Sequence, residues 1–370
     1  MMITKGFLSI CQRGQRLKGL IMYINERINQ VVRVKCSEDR SPFLRLDMNE
    51  NPEGLPEEFV KEVRERIDGQ LLASYPNKAR LIEMLAKQEG VRRENISLTC
   101  GSDEAIRYIF EVFTKPGSRA LMVAPSFEMY RIYSEIFGVA LERIPYDASF
   151  SLPFEKLKGR ITKDISLLAL FNPNSPIGEA YTPAELQELL ELCRKTDTLT
   201  VIDEAYYPFG VSSAVGMLKE HAHLIVLRTF SKLYSMAGLR VGYALGSAEL
   251  IRCLDNAQST YNVNSVGILF AEELLRRPDI TKRLIEEEAK GRNYLLERLE
   301  QTGYEAYAKG GNYVLVKTKR APEDTAARLR ERHILIKYYS TGILKDWIRV
   351  TTGSRKVMEQ FWKEFLKCDS

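Results

Sequence analysis

Histidine, tryptophan and paired cysteine are scarce in this 370-residue chain, which has three histidines, two tryptophans and six cysteines without a CxxC pair. Cys11, Cys36, Cys100, Cys193, Cys253 and Cys368 are scattered, and none clusters with a histidine at metal-ligand spacing, so no metal is expected. Isolated thiols of this kind read as reduced side chains and place the protein in the cytoplasm. No apolar run approaches the roughly 18 residues of a membrane-spanning helix, which argues against a membrane partner. Acidic residues are missing from positions 1–25, where Lys5, Arg13, Arg16 and Lys18 supply most of the formal net charge of +5. The remainder holds 50 Lys and Arg against 49 Asp and Glu, so no basic face for nucleic acid is implied. The leader also lacks the apolar core and small-residue cleavage site of a secretory signal. Residues 1–24 are expected to be disordered, and Met22 is a candidate start. Internal repeats and low-complexity segments are absent too.

Hydrophobic content of 45% and charged content of 28% are those of a globular protein, and 370 residues exceed the usual size of one core. Short β-rich runs at 97–100, 119–124, 141–146, 166–171, 199–203, 224–228 and 241–245 alternate with helical or turn-rich pieces. This pattern predicts a mostly parallel sheet covered on both faces. The last two runs are too close for a helical crossover, so one strand should be antiparallel. Thr182-Pro-Ala-Glu185 forms a capping box with proline in the first turn. Beyond residue 246, long charged helices, notably 279–302, are followed by short strands at 312–317, 333–337 and 347–351 and a helix at 356–367. That is the pattern of a smaller α+β domain. The N-terminal helix expected at 25–35 should return to it. Residues 57–68 read as a helix ended by Gly69, and 44–52 as too rich in turn formers to be core. The expected division is an arm with part of the small domain at 25–70, a large domain at 71–255 and a small domain at 256–370.

Ligands of open α/β sheets bind at the carboxyl ends of strands, and candidate side chains gather there. After the run 223–228 comes TFSKLYSMAGLR (229–240), with Lys232 among small hydroxyls and Arg240 following. An amine there can hold a phosphorylated aldehyde covalently, with Ser231 and Arg240 on its phosphate. Taken alone, a serine–lysine pair is more often a surface turn. The first strand turns through Gly101-Ser102-Asp103 into a helix whose N-terminal N–H groups suit a phosphate, although an ordinary N-cap has the same sequence. Phe127, after the second strand, can cover a ring or pack in the core. Asn174 and Ser175 lie in a proline-rich turn after the fourth. Asp203 closes an apolar strand, where a carboxylate is costly unless paired, and Tyr206 follows it.

With these groups at successive strand ends, the chain resembles the class I/II aminotransferases among the fold-type I pyridoxal-phosphate enzymes. The nearest branches are the histidinol-phosphate aminotransferases and the threonine-phosphate decarboxylases. The motifs NENP, YP, GSDE, NPNSPIG, DEAY, FSKLYSMAGLR, GNYVLV and IRVTTG occur in family order from about Leu46 to the C-terminus. The resemblance implies an α/β fold with a seven-stranded, mostly parallel large-domain sheet and a smaller α+β domain. It implies pyridoxal 5'-phosphate, with Lys232 as Schiff-base lysine and proton-shuttling base. Asp203 would pair with the ring nitrogen, Tyr206 with the phenolic oxygen, and Phe127 would stack on the ring. Ser102, Asp103, Ser231 and Arg240 would surround the phosphate, with Tyr75 reaching it from a second subunit of a homodimer. Arg349 and Asn312 would meet the substrate. The implied reaction moves an amino group between a small amino acid or phosphorylated amine and a 2-oxo acid; the alternative is decarboxylation. Ser175 replaces the family's usual asparagine, leaving either Asn174 or Ser175 to meet the phenolic oxygen. Lys337 stands where the histidinol-phosphate branch usually has a phosphate-gripping arginine, and that branch's N-terminal Pro-Tyr element is absent.

Overall fold

The computed structural model describes residues 25–32 and 38–369; the leader 1–24, with its candidate start, lies outside them. Strand β1 (Leu44–Leu46) belongs to a smaller sheet. The next seven, β2 (Ile96–Thr99), β3 (Arg119–Ala124), β4 (Ala140–Pro145), β5 (Ile165–Phe171), β6 (Leu199–Asp203), β7 (Leu224–Thr229) and β8 (Gly242–Gly246), make the larger one. Its order is β2-β8-β7-β6-β5-β3-β4. Strand β8 runs antiparallel to both neighbours and the other pairings are parallel, as expected. Strands β6 and β7 are buried along almost their full length, which explains their mostly apolar sequences. Parallel pairing brings the carboxyl ends of β3, β5, β6 and β7 to one edge. The amino end of antiparallel β8 meets the end of β2 there, with Thr99 opposite Gly242.

Strands β9 (Ala306–Tyr307), β10 (Tyr313–Lys317), β11 (Ile334–Tyr338) and β12 (Trp347–Thr351) complete the smaller sheet, in the order β1-β11-β12-β10-β9. Its apolar face packs beneath the helices Pro278–Gln301 and Arg355–Asp369, with Val314, Ile348, Val350 and Phe361 in the core. Among the described residues no helix is long and apolar enough to cross a membrane.

Helix α1 (Glu26–Gln30) is shorter than expected and packs on the large layer. Its return to the small layer is not observed. Strand β1 makes that return instead, pairing in parallel with β11 and burying Leu46. Leucines alternating at 44 and 46 outweigh the turn formers that follow. Helix α2 (Glu57–Arg64) ends before Gly69, which opens α3 (Gly69–Ala73) behind an Asp68 cap. Helix α4 (Ala79–Glu89) follows, and the helix Ser265–Arg276 packs against all three. Phe270, Leu274 and Ile280 therefore join the core of the larger sheet, which continues past the expected boundary at 255. The Thr182 capping box forms with both reciprocal bonds.

Candidate active site

Helix α5 (Ser102–Phe113) starts directly after β2, and no side chain caps its first turn. Gly101 takes φ 75°, a left-handed backbone that glycine adopts without cost. Gly242 lets β8 approach closely, since a Cβ there would stand 2.6 Å from Gly101 C and Ser102 N. The helix therefore directs its first N–H groups and the positive end of its dipole toward the sheet edge. Arg240, in a left-handed turn just before β8, lies along this segment and donates to the Cys100 carbonyl at 3.5 Å. Ser231 is held nearby by Thr229, whose hydroxyl donates to the Ser231 hydroxyl at 3.0 Å and accepts the Ser231 N–H at 3.1 Å.

Ser102, Asp103, Ser231 and Arg240 line one cleft of about 330 Å³ with Phe127, Ser175, Asp203, Tyr206 and Lys232. Lys232 also lines a second cavity of about 530 Å³ between the arm and the helix Pro278–Gln301. Its ammonium donates to the Met48 carbonyl at 2.7 Å, and burial pushes its pKa below the usual lysine value. Asp203 is buried, and that burial raises its pKa to about 6 even though the Ala205 N–H and Tyr130 hydroxyl donate to it. Tyr130 lies on α6 (Met129–Phe137), so this helix props the end of β6. Burial alone would raise the Tyr206 phenol, but Lys232 and Arg349 beside it leave its pKa lowered. Asn49 also donates to the Tyr206 oxygen at 2.8 Å.

Of the two turn residues, Ser175 faces the cleft and Asn174 does not. The Asn174 amide accepts from Ser126 at 2.7 Å and donates to the Pro125 carbonyl at 3.0 Å, which braces two loops. Arg349 donates to the Asp47 carbonyl at 2.7 Å and reaches the Ser175 hydroxyl at 3.4 Å; its buried Nε has no partner among the described residues. Lys337 sits directly across the β11–β12 pair from Arg349. Burial and that neighbouring charge lower its pKa. Asn312 donates to the Asn49 carbonyl at 3.1 Å and lines the second cavity. Tyr75 stands apart from the cleft, 78% exposed, stacked on Tyr261 with ring centroids 4.2 Å apart.

Asn49, Tyr130 and the carbonyls of Asp47 and Met48 were not singled out from the sequence. NENP marks Asn49 only as part of a motif, and backbone carbonyls leave no sequence signal.

These residues fit pyridoxal 5'-phosphate. An uncapped helix N-terminus, two serines and an arginine suit its phosphate, and the cradle exists only because positions 101 and 242 lack a Cβ. A buried carboxylate with a raised pKa suits a protonated ring nitrogen, and two hydroxyls suit a phenolic oxygen.

Residues 41–365 match the family Aminotransferase class I and II. The chain is 33% identical over 341 residues to a histidinol-phosphate aminotransferase of Syntrophus aciditrophicus (strain SB), covering 87% of this chain and 91% of that protein. Its fold is similar to that of histidinol-phosphate aminotransferase from Sinorhizobium meliloti in complex with pyridoxal-5'-phosphate. That match has TM-score 0.78 and 22% identity over 88% of this chain and 90% of the other. It is also similar to L-threonine-O-3-phosphate decarboxylase from Porphyromonas gingivalis, with TM-score 0.74 and 22% identity over 88% and 98%. At such identities the two structures speak for the fold alone.

Proposed function

The chain belongs to the class I and II aminotransferases and is a pyridoxal-phosphate-dependent aminotransferase; from that premise we propose its substrates, site roles and assembly. It moves an amino group between a small amino acid or phosphorylated amine and a 2-oxo acid, in the manner of its histidinol-phosphate aminotransferase relatives. The observation that carries this reading is the convergence of Lys232, Asp203, Tyr206 and the α5 N-terminus on one cleft.

The cofactor, when bound, supplies the aldehyde that carries the amino group and a ring that accepts electrons from the substrate carbon. Ser102, Ser231, Arg240 and the first N–H groups of α5 hold its phosphate. Asp203, as a carboxylate, holds a proton on the ring nitrogen, and Tyr206 and Ser175 bind the phenolic oxygen. The Lys232 amine, its pKa lowered by burial, would take the proton from the substrate carbon and return it at the cofactor's aldehyde carbon, on the other side of the transferred nitrogen. Arg349 binds the substrate's carboxylate or phosphate through its planar fork of donors, replacing the Asp47 carbonyl that it now touches. Lys337 adds a compact positive charge beside it. The protein is a cytoplasmic homodimer in which Tyr75 serves the partner's site. Its support is the exposure of Tyr75, Leu72 and Tyr261.

Incubating the holoenzyme with histidinol phosphate or glutamate and a 2-oxo acid should yield keto product and no carbon dioxide; carbon dioxide release would favour the decarboxylase instead. Arg349→Lys should raise the barrier by roughly 2–4 kcal/mol, about thirty- to a thousand-fold in kcat/KM. Lys337→Arg should shift preference toward phosphorylated amines. An Arg349→Lys enzyme with unchanged kcat/KM for both donors would mean that the substrate anion binds elsewhere.

A further inference from the structure

Asn49 lies between the smaller sheet and the cleft, 1% exposed, with a left-handed backbone at φ 57°. Asparagine is among the few residues with a side chain that enter this region readily. Its neighbour is Thr351, the last residue of β12, which is fully buried. The Thr351 hydroxyl accepts the Asn49 backbone N–H at 3.0 Å and donates its single proton to Asn49 Oδ1 at 3.1 Å. That arrangement determines which end of the amide faces which way: Oδ1 is committed to threonine, so Nδ2 must face the cleft. There it donates to the Tyr206 oxygen at 2.8 Å. The phenol receives an N–H on its protein side, and its own proton remains to be given elsewhere.

We propose that Asn49 and Thr351 are a positioning pair that sets the polarity of the Tyr206 phenol, aiming its proton at the phenolic oxygen of the cofactor and away from the protein. The inference rests on the role given to Tyr206 above. The geometry adds that Tyr206 cannot perform it alone. If a carboxylate or a flipped amide oxygen replaced Nδ2, the phenol would donate backwards into the protein, and the cofactor would lose that bond. Lys232 and Arg349 are the charged groups that face Tyr206, and the Tyr313 and Tyr339 phenols and the Ser175 hydroxyl face it too; all stay in place in every variant below.

The test is a pH titration of the near-visible absorbance of the bound cofactor, in holoenzyme without substrate. Loss of the Tyr206 proton should leave the phenolic oxygen more basic and move the midpoint upward. Asn49→Asp, nearly isosteric and able to adopt the same backbone, should raise the midpoint by about one pH unit, in the same direction as Tyr206→Phe. In the Tyr206→Phe background, Asn49→Asp should add nothing. Thr351→Val should produce a smaller rise, and Thr351→Ser, which keeps the hydroxyl, should restore the native midpoint. If Tyr206→Phe shifts the midpoint while Asn49→Asp and Thr351→Val do not, the positioning pair is refuted and the role of Tyr206 stands. An equal Asn49→Asp shift with and without the phenol also refutes the pair. A Tyr206→Phe enzyme with the native midpoint removes the Tyr206 assignment and the pair together. Should Asn49→Asp fail to fold, the comparison of Thr351→Val with Thr351→Ser decides by the same criteria.

Discussion

Asp203 ends an apolar strand with, among the described residues, only a backbone N–H and a tyrosine hydroxyl as hydrogen-bond partners. Its burial raises the carboxyl to about 6 from the ordinary 3.8. In the cofactor-free protein the native state therefore binds the proton more tightly than the unfolded chain does. Between about pH 4 and 6 the native state holds more protons, so stability falls as pH rises, and the full cost of roughly 3 kcal/mol is present above pH 6. Asp203→Asn removes this titration. Urea unfolding of both cofactor-free proteins at pH 4 and pH 7 should show the variant gaining on the native protein by about that amount. A gap that is the same at both pH values would mean that Asp203 is not held protonated in this way. In the role proposed for Asp203, a cationic ring nitrogen would relieve this penalty on binding.

At the scale of elements, the proposed phosphate cradle depends on how closely β8 lies against the start of α5. A Cβ at Gly242 would sit 2.6 Å from backbone atoms of Gly101 and Ser102, and backbone cannot swing aside as a long side chain can. Gly242→Ala should therefore push the helix start away from the sheet, at a cost of about 1–3 kcal/mol. It should also loosen cofactor retention, read as faster loss of near-visible absorbance on dialysis. Gly216→Ala is the control, because a Cβ there meets open space; it should change neither the melting temperature nor retention. Equal behaviour of the two variants would show that the cradle tolerates the displacement.

For the whole molecule, the question is what covers the patch around Tyr75. Leu72 is 65% exposed and Tyr75 78% exposed, beside the half-exposed Tyr261. The YP motif marks this tyrosine, yet it stays outside its own chain's cleft, as the proposed homodimer requires. Mixing inactive Lys232→Ala subunits with inactive Tyr75→Ala subunits should regenerate sites with one intact lysine and one intact tyrosine. About a quarter of native activity is the upper expectation for random pairing of equal amounts, through the half of dimers that are mixed and carry one whole site each. Full native activity from a species shown by light scattering to be a monomer would refute the shared site.

How much of this was legible in the sequence follows from how far each contact reaches along the chain. The alternation of β-rich and helical runs, the antiparallel strand and the Thr182 cap depend on neighbours a few residues apart, so local patterning determined them. The gathering of Lys232, Asp203 and Tyr206 on one cleft was legible for a related reason, because each closes or follows a strand and parallel topology brings such ends to one edge. The tertiary structure decided what distant segments share. It turned Asn174 into a brace and left Ser175 at the cleft. It made a strand of residues 44–46 by giving them β11 to pair with, and it carried the large core past residue 255. Asn49 is the clearest case, since its partner Thr351 is 302 positions away and Tyr206 is 157. Hydrogen bonds at that separation leave no periodicity or composition to read. Only the packing of the arm between the two layers shows that an asparagine in a turn faces the phenol.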